Sequence, residues 1–278
     1  MLNTRRQFAG AALALALTTG LPLRADKNQP SEAEIREIIQ KFAAKESEFA
    51  KARENYTYRQ SVKFLEMDPS GSTVGKWEIV SDIIFSGDGK RTERVVRAPV
   101  ITLKNILLEP EDEQDLRNVQ PFVLTTTELD KYQIDYVGKE KLDEIDCYVF
   151  AVKPRKMVKG ERYFEGLVWV DDRDLQIVKS YGRGVGIRRS KNSQYPKFET
   201  YREQIDGKYW FPTFTIANDS LNFESGPIPI KMTVKYENYK QFKSESTITF
   251  TDSNITFDDK PAEPGKPAPE SKPEPKKP

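Results

Sequence analysis

Residues 161–181 read ERYFEGLVWVDDRDLQIVKSY: two apolar runs, Tyr163 to Val170 and Leu175 to Tyr181, on either side of the polar Asp171-Asp172-Arg173-Asp174. Runs this short, rich in Val, Ile, Trp and Tyr and broken by turn formers, predict a β-hairpin. Successive strand side chains alternate, so Tyr163, Leu167 and Trp169 point one way and Phe164, Val168 and Val170 the other. Both faces are apolar. A strand of that kind is central and covered on both sides. The remaining chain offers one helix and a long series of strands as cover, and function turns on whether they fill both faces completely.

In a chain of 278 residues, a removable start and an unstructured end leave enough for one large all-β domain, spanning residues 26–258. Lys plus Arg number 44 against 43 Asp plus Glu, a balance that gives no electrostatic case for nucleic acid or for strong membrane attraction. A ligand would be held by shape and apolar contact. The sequence has no histidine, which removes the commonest general base, the usual metal ligand and the near-neutral pH switch together. Cys147 is the one cysteine, so no intramolecular disulfide or thiolate zinc site can form; it is expected as a small apolar strand residue.

Residues 1–25 have the parts of a secretory signal: Arg5 and Arg6, an apolar run from Phe8 to Leu17, and a helix-breaking end through Gly20 and Pro22 to Ala25. The run is too short for a permanent span, which needs roughly 20 residues. Thr4-Arg5-Arg6-Gln7-Phe8 fits the twin-arginine export pattern, with general secretion as the other route. The expected location is the periplasm. At the other end, residues 259–278 are Pro, Lys, Glu and Ala without aliphatic bulk, a composition that cannot offset its ordering entropy.

Ser31-Glu32-Ala33-Glu34 is a capping box and predicts a helix start. Ile35, Ile38, Ile39, Phe42, Phe49 and Ala50 recur on one face, opposite Glu37, Lys41, Lys45, Glu48 and Lys51. This helix needs an apolar surface to lie on. From Tyr56 the period changes to two, and alternating runs follow to Tyr236 with turns at Pro69-Ser70-Gly71, Asp88-Gly89, Asp143-Glu144 and Asp206-Gly207. Leu103 to Val119 interrupts them with a mixed apolar and acidic segment in which Pro110 suits the first turn of a short helix. Roughly ten strands at regular spacing with little helix predict a closed or partly closed antiparallel barrel.

Three constellations invite a chemical reading. Asp171, Asp172 and Asp174 are read as a solvated hairpin turn, because the glycine and the terminal acidic ligand of a calcium loop are missing. Gly182-Arg183-Gly184-Val185-Gly186 lacks the Lys-Ser or Lys-Thr of a phosphate loop and is read as bends that curve a sheet. Arg183, Arg188, Arg189 and Lys191 form a basic patch, either a solvated face or a contact for a lipid phosphate or acidic partner. The aromatic supply is the stronger clue. Tyr56, Tyr58, Trp77, Phe85, Tyr132, Tyr136, Tyr163, Trp169, Trp210, Phe214 and Tyr236 occupy alternating strand positions, either as ordinary core or as the lining of an apolar cavity for acyl chains.

The capped helix, the Tyr132–Gly138 run, Tyr148-Val149-Phe150 to Pro154, Tyr163 to Asp171 and Ile177-Val178-Lys179 resemble outer-membrane lipoprotein-sorting proteins, of the wider periplasmic lipoprotein-carrier superfamily. The resemblance covers most of Ser31 to about Phe242. It implies an unclosed antiparallel barrel with helical lid elements that holds acyl chains of a lipoprotein or lipid on its concave side, and no enzyme activity. The twin-arginine pattern, the Leu103 to Val119 segment and the Pro-rich tail depart from it.

The expectation is therefore a mainly β, unclosed barrel with an N-terminal amphipathic helix and a short lid helix, acting as a monomeric, non-catalytic carrier without cofactor or metal. Phe85, Tyr136, Leu167, Trp169 and Trp210 are expected to line its cavity, with Ile38 and Phe42 in the lid. Its partners would be lipidated protein or lipid cargo and a membrane-bound donor or acceptor protein, not nucleic acid. The alternative is an envelope sensor or scaffold of the same fold that contacts a membrane-anchored partner.

Overall fold

The computed structural model describes residues 29–85, 90–117, 122–186, 195–242, 248–251 and 254–257. The leader, the Pro-rich tail, the Asp88-Gly89 turn and Arg188, Arg189 and Lys191 lie outside the described residues. Helix α1 (Glu32–Ala52) starts at the capping box: the Ser31 hydroxyl accepts from the Glu34 amide at 3.3 Å, and the Glu34 carboxylate accepts from the Ser31 amide at 2.7 Å. Phe42 and Phe49 are buried on its apolar face, with Ile35, Ile38 and Ile39 partly buried beside them.

Ten strands follow: β1 (Tyr56–Met67), β2 (Thr73–Phe85), β3 (Arg91–Ile101), β4 (Tyr132–Leu142), β5 (Ile145–Pro154), β6 (Tyr163–Asp171), β7 (Ile177–Val185), β8 (Phe198–Gln204), β9 (Trp210–Phe223) and β10 (Gly226–Gln241). They form one antiparallel sheet in the order β3-β2-β1-β10-β9-β8-β7-β6-β5-β4. A separate hairpin pairs β11 (Ile248–Thr251) with β12 (Asn254–Phe257).

Two features of this order position the site. First, β1 pairs with β10 from Tyr56↔Gln241 to Glu66↔Ile230, so the sheet's first and last strands meet inside it. The two edges are then β3 and β4, which do not pair, and the barrel stays open. Secondly, the chain must travel from one edge to the other between β3 and β4. Residues 102–117 and 122–131 lie along that crossing, over the face on which α1 lies, and carry the short helix α2 (Pro110–Arg117), with Pro110 at its first position as expected.

That inner face holds two cores. Beneath α1, Phe42 packs with Phe150, Val152, Phe164, Val168, Val170, Ile177 and Leu124. Beneath the crossing segment, Ile106 packs with Val62, Phe64, Trp77, Ile79, Leu221, Met232 and Val234, and Leu103, Leu108 and Leu116 lie against them. The turn expected at residues 171–177 forms, with Leu175 at φ of 52°, but it is not simply solvated: Asp171 is buried and accepts from the Arg173 amide at 2.7 Å. At Gly182, one of the glycines read as bends in the sheet, the structure leaves no room for a side chain. A Cβ there would stand 2.3 Å from the Glu165 carbonyl oxygen and 2.6 Å from the Phe164 ring, which instead folds down and stacks on Phe122 at 4.3 Å.

Candidate ligand cavity

Between the two inner cores lies a cavity of about 760 Å³. Its floor is sheet: Phe64 of β1, Met232 of β10, Leu221 and Phe223 of β9, Phe198 of β8 and Phe164 of β6. Its cover is the crossing segment, through Ile106, Leu108, Leu116 and Phe122, and its end wall is the last turn of α1, through Ala50 and Arg53. Leu107 belongs to the lining yet is 87% exposed, which places it at the mouth.

The wall also carries polar groups, among them Asn105, Glu109, Asp112, Asp115, Glu128 and Arg162. Asp115, on α2, accepts from Arg162 at 2.7 Å and from Tyr195 at 3.5 Å, a bond that ties the crossing segment to the start of β6. Asp112 accepts from the Glu109 amide at the entrance to α2. At the α1 end the cavity adjoins the buried pair Glu46–Arg202. Glu46 accepts from Arg202 Nη1 at 3.1 and 3.2 Å and from the Ile177 amide at 3.1 Å, and Arg202 Nη2 also donates to the Phe122 carbonyl. Burial pushes the Glu46 carboxyl up, against the pull of Arg202 and the Ile177 amide.

Another buried carboxylate, Glu66, holds the crossing segment at its start. It accepts from the Lys104 amide at 2.8 Å, from the Asn105 amide at 3.1 Å and from the Asn105 side chain. Burial works to raise its pKa, but these donors together with the Ile106 amide leave it below the ordinary value. Gly75 makes room for the arrangement, since a Cβ there would stand 2.7 Å from the Thr102 carbonyl oxygen.

None of the seven residues expected from the sequence lines this cavity. Leu167, Trp169 and Trp210 are brought together, but with Cys147, Val149 and Val178 in a cluster on the opposite, outer face of the sheet. There Trp169 donates to Glu140 at 2.9 Å and lies under Lys179, whose Nζ is 4.6 Å from the ring centroid. The physical reason is parity: Val168 and Val170 pack beneath Phe42 of α1, so Leu167 and Trp169 must face away. Tyr136, Ile38 and Phe42 do lie on the inner face, but in the filled core beneath α1, where Tyr136 and Phe42 contact Phe150 at ring distances of 5.7 and 5.3 Å. Phe85 is buried at the end of β2.

Cys147 is fully buried in that outer cluster, and burial with the neighbouring carboxylates pushes its thiol up to about 12, which leaves it unreactive.

No family model matches the chain, and no curated protein matches it in sequence. Among solved structures, a DUF1329 family protein from Desulfovibrio piger is 16% identical, covering 73% of this chain and 91% of its own, with a TM-score of 0.41. An outer membrane lipoprotein-sorting protein domain from Vibrio parahaemolyticus is 12% identical over 72% of this chain and 92% of its own, with a TM-score of 0.35. A LolA superfamily protein from Nitrosomonas europaea is 14% identical over 75% of this chain and 93% of its own, with a TM-score of 0.31. The resemblance read from residues 31–242 thus recurs among solved structures, and at that distance the functional reading rests on the cavity itself.

Proposed function

We propose that the protein is a non-catalytic periplasmic carrier whose cavity takes the acyl chains of a lipid or of a lipidated protein. The observation that carries this reading is the unfilled space of about 760 Å³ on the inner face, walled by Phe64, Leu108, Leu116, Leu221, Phe223 and Met232. Its size lies within the ~300–1,000 Å³ of small-molecule sites. Removing acyl methylenes from water into such a space is favourable at about 0.8 kcal/mol each. The sequence has no histidine, and of the wall's carboxylates Asp115 is engaged by Arg162 and Asp112 by the Glu109 amide. No helix among the described residues is long and apolar enough to cross a membrane.

Titration of the folded protein with a fluorescent fatty acid tests the reading. Saturable uptake is expected, and Leu221→Trp and Met232→Trp, which place bulk inside the cavity, should each weaken it at least tenfold while the unfolding midpoint changes little. Folded wild-type protein that takes up no probe would remove the carrier reading.

A further inference from the structure

Arg53 is the residue on which α1 ends, and its side chain forms part of the cavity wall. Its Nε is buried and meets no hydrogen-bond partner, and among the described residues no carboxylate pairs with the guanidinium. The neighbouring cations differ. Arg162 in the same wall is bonded to Asp115, and Arg202 behind the end wall is bonded to Glu46. Burial pushes the Arg53 guanidinium down from its ordinary value; the neighbouring Tyr58 hydroxyl is the largest opposing influence, the positive charge of Arg202 adds to the fall, and Glu46 and Glu54 offset a smaller part. Glu46 is already held by Arg202 and the Ile177 amide, and Glu54 is exposed.

A guanidinium stays charged in a protein, and a largely desolvated charge without a counterion is costly. A cation near a helix C-terminus does complement the helix dipole. Lys51, exposed in the same last turn, already does so from solvent and needs no place in an apolar wall. What remains to be explained is a cation without a bonded carboxylate among the described residues, in the wall of a space large enough for a ligand, where the wall's own carboxylates, Glu109, Asp112, Asp115 and Glu128, form no ion pair with it. A carboxylate or phosphate at the end of an acyl chain would supply both the missing charge and the planar or tetrahedral acceptors that guanidinium binds best.

We infer that the cavity selects an anionic amphiphile, with the chain against the apolar wall and the carboxylate or phosphate on Arg53. This rests on the carrier reading and narrows it. The acyl chains of a lipidated cysteine are joined through esters and an amide and bring no charge to that junction, so Arg53 favours a free acidic lipid over a lipoprotein anchor.

The test uses the full chain and three ligands of equal chain length, palmitic acid, 1-palmitoyl lysophosphatidic acid and 1-hexadecanol, each displacing a neutral fluorescent probe. Wild-type protein should bind at least one of the two acids tenfold or more tightly than the alcohol, and which acid gains more identifies the anion. Arg53→Gln should bring both acids to within about twofold of the alcohol, leaving the alcohol unchanged, and Arg53→Lys should keep part of the preference. Since the Arg53 Nε meets no hydrogen-bond partner among the described residues, neither change should prevent folding. Equal binding of all three by wild type, or a preference that survives Arg53→Gln, overturns the anion site and leaves the carrier reading standing. Displacement by none, with the probe itself unbound, overturns both.

Discussion

The two halves of the inner face begin from similar material and end differently. Over β4 to β7 the cover is a 21-residue amphipathic helix, and the space beneath it is filled: Phe42 and Phe150 are both fully buried. Over β1, β2, β9 and β10 the cover is an irregular crossing with an eight-residue helix, and Leu103, Leu108 and Leu116 there are only partly buried. A regular helix presents an apolar residue every three or four positions along a straight ridge, which fits a sheet closely. A segment that must run from one sheet edge to the other cannot keep that spacing, and space is left where the two covers meet. The cavity is therefore a consequence of strand order as much as of side-chain choice.

If the filled half carries stability and the open half carries binding, substitutions on the two covers should separate the properties. Phe42→Ala empties the tightest part of the filled core and should cost about 4 kcal/mol in equilibrium unfolding. Leu116→Ala, on the half-buried cover, should cost about 1 kcal/mol and change acyl uptake instead. A larger stability loss from Leu116 than from Phe42 would reverse the assignment. At the junction of the halves, Arg202→Met leaves Glu46 buried without its partner and should cost about 3 kcal/mol. The double substitution Arg202→Met with Glu46→Leu should recover most of that, and a double variant no better than the single one would show that the pair is not the cause.

Glu66 offers a gentler way to loosen the cover. Its carboxylate is held below the ordinary value, so its contribution to stability is complete above the unfolded-state pKa and disappears as pH falls through the lower folded-state value. Glu66→Gln should cost about 1–3 kcal/mol near neutrality. The gap between variant and wild type should close in acid, and amides of residues 103–106 should exchange faster in the variant at neutral pH. A gap that is the same at every pH would mean that the carboxylate's charge plays no part.

Much of this was legible because it is local. The capping box at Ser31, the stripe from Ile35 to Ala50, the turns at Pro69-Ser70-Gly71, Asp143-Glu144 and Asp206-Gly207 and the helix start at Pro110 are each written in a few neighbouring residues, and each occurs in the structure. The pairing of Tyr56 with Gln241 is not local, and with it go the identity of the edges and the crossing that covers the cavity. Nor does a strand with two apolar faces declare which one turns inward; that is decided by where α1 lies. Two further residues of the site carry a local signal. Glu46 follows Phe42 by four positions and Arg53 follows Phe49 by four, so both fall on the apolar stripe, where a charge signals a buried partner or a ligand. The Leu103 to Val119 segment was recognised as an interruption, but its place in the cavity wall depends on the distant pairing.

The outer face supplies the smallest expected effect and the sharpest control. Trp169 has the bulk and the strand position of a cavity residue, yet it is on the side away from the cavity, between Glu140 and Lys179. Trp169→Phe removes one half-exposed hydrogen bond and keeps an aromatic ring, so stability should fall by no more than about 1 kcal/mol. Fatty-acid affinity should stay within twofold of wild type, because no wall residue is altered. A tenfold loss of uptake from this change, with Leu221→Trp tolerated, would place the ligand on the outer face and make the inner space an unoccupied packing defect.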